Sequence, residues 1–149
     1  EPVSALDVSV QAQVLNLLAE LRERFALSIV FITHDLRVAA QICDLVAVMK
    51  DGEVVETGPV ARVFGHPQHT YTRALLASIP RLSNAPHTLL RTIEGSPPDM
   101  GRPPEGCRFA PRCGSASDRC RSDQPVSTGV PGGRDVACHH PILEVSRGR

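Results

Sequence analysis

Aromatic side chains are scarce in this chain of 149 residues, which has no tryptophan, one tyrosine and only 3% aromatic residues in all. Hydrophobic residues nevertheless make up 42% of the sequence. A packed core must therefore be built mostly from leucine, valine, isoleucine and alanine, which supply the remaining apolar surface. The length suffices for one ordinary domain or for two small ones.

The sequence also lacks an excess of charge of either sign, because 16 lysine and arginine residues balance 16 aspartate and glutamate residues. Broad binding to nucleic-acid phosphates needs a basic surface, so this balance argues against a nucleic-acid partner. No apolar run approaches the roughly 20 residues that span a bilayer. No secretory signal is recognisable, and the chain begins with Glu1 rather than methionine, so we expect a fragment or a processed form.

Proline is rare in the first part of the chain and frequent in the second. Only Pro2 and Pro59 occur before residue 63, whereas the later part is rich in proline and glycine and its apolar runs are short. We therefore predict two domains, residues 1–62 and residues 63–149.

Apolar periodicity predicts alternating helices and strands in the first domain. Residues 8–24 carry apolar residues at helical spacing, and Asp7 or Ser9 can cap the start of that helix. The β-branched run 28–33 predicts a strand that is buried on both faces, as in a parallel sheet. Asp35 can cap a second helix. The order helix, buried strand, helix indicates an α/β fold.

A hairpin and two short helices are predicted next. Asp51 and Gly52 separate two β-rich runs, 45–49 and 53–57, and an Asp-Gly pair favours the positive φ angles of a tight hairpin turn. Residues 60–64 and 69–79 are expected to be helical. Residues 83–135 are expected to be mostly loop.

The opening segment Glu1-Pro2-Val3-Ser4-Ala5-Leu6-Asp7 resembles the stretch that follows the Walker B strand of ABC ATPases. The resemblance implies that the Glu1 carboxylate polarises the water that attacks ATP. It also implies that Ser4 and Asp7 belong to the D-loop, which reaches the nucleotide site shared with a second ATPase subunit. Phosphoryl transfer needs such a positioned acceptor for the water proton.

A second motif, Phe31-Ile32-Thr33-His34-Asp35, resembles the switch-histidine segment of the same family. In that family a histidine at the end of a strand donates a hydrogen bond to the γ-phosphate, so the resemblance gives this role to His34. An isolated histidine is a weak signal. Together with the opening segment and the Asp51-Gly52 hairpin, it implies the C-terminal part of a P-loop ABC ATPase domain.

Four cysteines, Cys107, Cys113, Cys120 and Cys138, are clustered in the second domain with the spacing C-x5-C-x6-C-x17-C. Four thiolates can enclose an iron–sulfur cluster or a tetrahedral zinc ion. The first two gaps are wider than the gap of about 2–4 residues that is usual in zinc fingers, which favours the cluster and leaves zinc as the alternative. Five arginines near these cysteines are expected to lower the thiol pKa values. They are Arg102, Arg108, Arg112, Arg119 and Arg121.

The second domain resembles the C-terminal extension of oligopeptide and dipeptide importer ATPases. The resemblance rests on the segments 66–72, 95–98, 106–113 and 137–141. Some members of that group hold a 4Fe–4S cluster on four cysteines. His66 and His69 are interpreted as turn or capping residues rather than metal ligands, whereas His139 and His140 adjoin Cys138 and remain open to either role. We interpret Cys43 as a small core residue.

Several ATPase motifs do not occur in the 149 residues. No phosphate-binding loop G-x-x-x-x-G-K-S/T is present, and the glutamine loop and the ABC signature segment are also missing. The resemblance implies that the whole subunit uses ATP and Mg²⁺. We expect this chain alone to be inactive.

The family resemblance implies a peripheral subunit at the cytoplasmic face of the plasma membrane. It would pair with a second ABC ATPase subunit and with transmembrane permease subunits, and indirectly with an extracytoplasmic solute-binding protein. The alternative is a stand-alone iron–sulfur or zinc module that retains an ATPase remnant. The sequence does not identify the transported solute.

Overall fold

The computed structural model describes residues 7–80, 92–96, 99 and 101–142. The chain divides into two compact units, residues 1–44 and residues 45–149. This division lies before the point at which proline becomes frequent. The assignment of residues 1–62 to an ATPase domain and of residues 63–149 to an extension stays a prediction.

The first unit contains two helices, α1 (Val8–Phe25) and α2 (Leu36–Ile42). As predicted, an aspartate caps each of them: the Asp7 carboxylate accepts backbone hydrogen bonds at the start of α1, and Asp35 does so at the start of α2. The helix α1 ends at Ala26, whose φ of 48° is left-handed. The backbone N–H of Leu27 then donates to the Arg22 carbonyl at 3.0 Å, which closes the last turn.

The predicted strand at residues 28–33 is wrong for this chain. The segment is not a strand, and Val30 and Ile32 are 93% and 74% exposed rather than buried on both faces. A parallel strand exists only through hydrogen bonds to neighbouring strands. Across the described part of the chain, no strand pairs with this segment, so its β-branched residues alone do not make it one.

The second unit begins with the predicted hairpin, formed by β1 (Leu45–Lys50) and β2 (Glu53–Pro59). Asp51 and Gly52 have φ angles of 48° and 83°, the positive values that such a turn requires. The strands pair antiparallel, with a register shift between Val48 and Met49.

Two further strands extend this sheet, and the sequence reading missed both. β3 (Thr128–Val130) and β4 (Arg134–Val136) form a second hairpin, and β4 pairs antiparallel with β2. The strand order is β1-β2-β4-β3. Every pairing within the described residues is antiparallel, so the expected parallel strands are not found there. The observed fold is a mixed α/β structure with a small antiparallel sheet.

Helices α3 (Val60–Gly65) and α4 (Thr70–Ala77) follow β2, close to their predicted positions. The valines Val48, Val55 and Val63 form a core between the sheet and these helices. A short 3₁₀ helix (Ala110–Arg112) and α5 (Asp118–Ser122) lie in the cysteine-rich part, which is therefore more ordered than a run of loops.

A second core surrounds the cysteines. Cys107, Phe109, Ala110 and Cys120 are buried together, and Tyr71 of α4 packs against this cluster as well as against the valine core. Tyr71, the single tyrosine, thus links the sheet to the cysteine-rich segment. Although aromatic residues are scarce, the large Tyr71 ring contributes apolar contacts to both small cores.

Candidate functional site

The residues expected to act on ATP lie in the first unit. Glu1 and Ser4 fall outside the described residues. Asp7 is the cap of α1: its Oδ1 accepts hydrogen bonds from the backbone N–H groups of Ser9 and Val10 at 3.0 and 2.9 Å, and from the Ser9 hydroxyl at 2.6 Å. These hydrogen bonds, that of the Ser9 hydroxyl foremost, hold the pKa of Asp7 below its usual value. Its predicted D-loop role stays a prediction.

His34 lies in an exposed bend immediately before the cap of α2. The backbone around it is held on both sides: the Asp35 N–H donates to the Thr33 hydroxyl at 3.0 Å, and the Asp35 carboxylate accepts from the Arg37 backbone N–H at 2.9 Å. The side-chain hydrogen bond from Arg37 is the main reason that the pKa of Asp35 is lowered. His34 therefore precedes a capped helix, but it does not follow the buried strand that the motif predicted, and its role at the γ-phosphate stays a prediction.

The four clustered cysteines all line one small cavity of about 10 Å³ in the second unit. Cys107 and Cys113 flank the 3₁₀ helix, Cys120 lies on α5, and Cys138 follows β4. The backbone N–H of Cys107 donates to the Cys120 carbonyl at 2.9 Å, which ties two of these segments together. The fold thus brings together all four residues that the sequence singled out, and all five cysteines of the chain are free thiols.

The cavity does not have the arrangement of a mononuclear metal site. In the described segments, no group of three or more histidine, cysteine, aspartate or glutamate side chains is placed to hold a metal ion. A tetrahedral zinc ion with Zn–S bonds of about 2.3 Å would need its sulfurs about 3.8 Å from one another.

The expectation that nearby arginines lower the thiol pKa values is wrong for Cys107 and Cys138. Burial raises the pKa of both thiols, although the N–H groups of Phe109 and Ala110 oppose this at Cys107, and that of His140 at Cys138. Burial disfavours the charged thiolate.

The arginines do not offset this burial, and the guanidinium groups of four of the five have other partners. Arg108 pairs with Glu53 at 2.7 Å, and Arg112 donates to the Glu94 carbonyl at 2.8 Å. Arg121 pairs with Asp118 at 3.1 Å, and Arg119 lies 3.8 Å from Asp123.

His69 combines the predicted capping role with a place at the cavity wall. Its Nδ1 accepts a hydrogen bond from the Tyr71 backbone N–H at 3.0 Å, which caps α4. The side chain is 1% exposed, and burial lowers the pKa of His69 to about 4. His139 and His140 also line the cavity. The interpretation of His69 as a capping residue is confirmed.

Two residues that support the cavity were not found from the sequence. The buried Glu56 carboxylate of β2 accepts hydrogen bonds from the backbone N–H groups of Gln68 and His69 at 2.8 and 3.0 Å. The Phe109 ring lies between the cysteine segments and α4, 5.3 Å from the Tyr71 ring and 6.3 Å from the His69 ring. Neither contact has a local signal, because each joins positions that are distant along the chain.

The comparison with protein families matches residues 55–120 to the family described as "Oligopeptide/dipeptide transporter, C-terminal region". The matched range runs from β2 through α4 to Cys120, and so contains Glu56, His69 and three of the four cysteines.

Individual relatives match nearly the whole chain. It is 47% identical to the dipeptide transport ATP-binding protein DppF of Haemophilus influenzae, over 94% of this chain and 43% of that protein. It is also 47% identical to the oligopeptide transport ATP-binding protein OppD of Escherichia coli, over 97% of this chain and 42% of that protein. The chain is a relative of the oligopeptide and dipeptide transport ATP-binding proteins. The resemblance drawn from the sequence motifs is thereby confirmed.

The chain spans about two fifths of the length of these relatives. The alternative of a stand-alone metal module gains no support, because the similarity covers far more than the cysteine-rich part. A further finding concerns the helices: where the structure describes them, none combines the length and the apolar character needed to cross a membrane.

Proposed function

We propose that this chain is part of the ATP-hydrolysing subunit of an importer of dipeptides or oligopeptides. The observation that carries the proposal is the similarity to transport ATP-binding proteins over more than nine tenths of the chain. Such a subunit would lie at the cytoplasmic face of the plasma membrane, bound to the permease and to a second ATPase subunit. A solute-binding protein on the other side of the membrane would deliver the peptide.

In this proposal the first unit supplies the residues that act on the terminal phosphate of ATP. The Glu1 carboxylate accepts the proton of the attacking water, and His34 donates a hydrogen bond to the γ-phosphate. The bend that presents His34 is held by the Thr33 hydroxyl and by the cap of α2. Ser4 and Asp7 belong to the D-loop that reaches the second subunit, and the Asp7 cap fixes where α1 begins. Hydrolysis of Mg²⁺-bound ATP supplies the free energy for transport.

The experiment compares phosphate release by this chain with release by a longer subunit that carries a phosphate-binding loop, each with Mg²⁺-ATP and the permease. We expect the 149-residue chain to release phosphate no faster than buffer. In the longer subunit, Glu1→Gln keeps the size of the side chain and removes the base, which should reduce turnover by about 10²–10⁴. His34→Ala should also reduce turnover strongly and weaken ATP binding less. Wild-type turnover in either variant would refute the role of that residue.

We further propose that Cys107, Cys113, Cys120 and Cys138 hold a 4Fe–4S cluster rather than zinc. The donor set fits, because four thiols from three segments line one cavity whose wall includes no carboxylate. Burial raises the pKa of the Cys107 and Cys138 thiols, and backbone N–H groups at each sulfur oppose this effect only in part.

The present cavity has room for about one water molecule, so the cysteine segments must spread when the cluster assembles. The cluster would then stabilise a part of the chain whose apolar core is small.

Anaerobic purification tests this second proposal. We expect a brown protein with broad absorption near ~400 nm, and loss of colour when any one of the four cysteines becomes serine. Cys43→Ser is the matched control, because Cys43 lies in the first unit and should leave the colour unchanged. A colourless protein with one zinc per chain would refute the cluster and retain the four ligands.

A further inference from the structure

His69 lines the four-cysteine cavity, and one nitrogen of its imidazole is buried without a hydrogen-bond partner. Its Nδ1 accepts the Tyr71 backbone N–H at 3.0 Å and therefore carries no proton. A neutral imidazole has one N–H, so the proton lies on Nε2. Nε2 is buried and has no acceptor, although the side chain lines the cavity. A buried donor without an acceptor is unfavourable, and its presence at a cavity wall points to a ligand that supplies one.

The two other histidines at this cavity differ from His69. Nε2 of His139 lies 2.9 Å from the Asp123 carbonyl, and Nε2 of His140 lies 2.9 Å from the Ser117 hydroxyl. Both rings thus already have a partner for Nε2. Of the three histidines that line the cavity in the described structure, His69 is the one whose Nε2 has no hydrogen-bond partner.

The position of the His69 ring is fixed from two sides. The Glu56 carboxylate holds the backbone N–H groups of Gln68 and His69 at 2.8 and 3.0 Å. The Phe109 ring lies at 6.3 Å from the imidazole with a tilt of 55°, in the core that contains Cys107 and Cys120. These contacts hold the backbone and the ring of His69 at the cavity wall.

We propose that His69 Nε2–H donates a hydrogen bond to a sulfur atom of the cluster that the four cysteines hold. This inference rests on the cluster proposal above. All four cysteines line the same cavity as His69, and a cluster held there would add sulfide to the thiolate sulfurs. An N–H···S hydrogen bond withdraws electron density from the cluster. It therefore raises the reduction potential and slows cluster loss.

A pair of substitutions separates this role from capping, because each keeps one nitrogen position of the ring. In His69→Asn the side-chain oxygen matches Nδ1 and still caps α4, but no donor reaches the cavity. In His69→Gln the amide nitrogen matches Nε2 and keeps the donor, but the cap is lost. His139→Asn and His140→Asn are controls, since both rings are already bonded at Nε2.

The variants are reconstituted anaerobically with iron and sulfide, and their reduction potentials are measured by redox titration followed by EPR. We expect a lower potential in His69→Asn and about tenfold faster cluster loss in air, with values near wild type in His69→Gln. In the cluster-free protein, the thermal midpoint should fall in His69→Gln and stay near wild type in His69→Asn, because only His69→Gln loses the cap. An unchanged potential and lifetime in His69→Asn would overturn the inference, as would equal shifts in both variants.

A second measurement does not depend on the folding of either His69 variant. In the His139→Asn/His140→Asn double variant, pulsed EPR with ¹⁵N-labelled histidine should still detect a histidine nitrogen coupled to the reduced cluster. Loss of that coupling would overturn the inference and leave the cluster intact. A wild-type protein that takes up no cluster would instead refute the cluster proposal, and this one with it.

Discussion

At the level of single residues, Gly106 lies where two backbone segments of the cysteine-rich part pack closely together. A Cβ at this position would collide with the Cys120 carbonyl oxygen and would lie 2.8 Å from the Arg121 carbonyl carbon. These are backbone atoms of α5 that cannot turn away. The hydrogen bond from the Cys107 N–H to the Cys120 carbonyl, at 2.9 Å, depends on this close approach. Glycine is therefore required here for space.

Substitution of Gly106 by alanine should separate Cys107 from Cys120. We expect Gly106→Ala to lower the free energy of unfolding by about 1–3 kcal/mol, because extra volume is forced against fixed backbone. Chemical denaturation and the reactivity of the cysteines toward a thiol reagent measure the effect. Gly114→Ala is the control, because a Cβ there meets nothing within 4 Å. Equal stability of the two variants would contradict this account.

At the level of elements, two buried charged residues join the sheet to the ends of the helices. Glu56 of β2 accepts the N–H groups of Gln68 and His69 at the start of α4. Arg134 of β4 donates to the His66 carbonyl at 2.6 Å and to the Arg62 carbonyl at 3.4 Å, at the end of α3. Each charge thus lies at the helix end that the helix dipole favours.

Replacement of the Glu56 carboxylate by an amide should destabilise this junction. Both oxygens accept a backbone N–H, so in Glu56→Gln one amide NH₂ group would face a donor and leave it unsatisfied. We expect a loss of about 1–3 kcal/mol of unfolding free energy, measured by chemical denaturation. Glu53→Gln is the control: its ion pair with Arg108 is partly exposed, and we expect it to cost less than about 1 kcal/mol. A greater loss of unfolding free energy in Glu53→Gln than in Glu56→Gln would contradict the proposed importance of the Glu56 hydrogen bonds.

At the level of the whole molecule, the first unit exposes apolar residues in the segment that joins its two helices. Leu27, Ile29, Val30 and Ile32 are all exposed. Exposed apolar side chains close together in the sequence favour association with other surfaces.

We expect the chain to bind a hydrophobic dye and to associate as its concentration rises. Val30→Lys should reduce both effects without loss of helix content, because the valine side chain has no buried contacts to lose. Dye fluorescence and sedimentation measure the two effects. Val126→Lys serves as the control, because Val126 is an exposed valine of the second unit, outside this segment. A monomeric wild type without dye binding would disprove the expectation.

The sequence by itself determined the features that depend on neighbouring residues. Asp7, Asp35 and His69 cap helices because a short polar side chain reaches the free N–H groups of the next turn. Asp51 and Gly52 form the hairpin turn because they tolerate positive φ. The motif spacing also indicated the family resemblance, because the residues of each motif lie close together in the sequence.

Only the tertiary structure decided the features that depend on distant partners. The β-branched run 28–33 is not a strand, because a strand forms only where another strand supplies its hydrogen bonds. Conversely, the short β4 exists because β2, far away in the sequence, pairs with it. The same holds for the cavity: Glu56 and Phe109 hold His69 at its wall through contacts that no local pattern encodes. Caps and turns depend on residues that are neighbours in the sequence, whereas strand pairing and burial depend on which distant segments pack together.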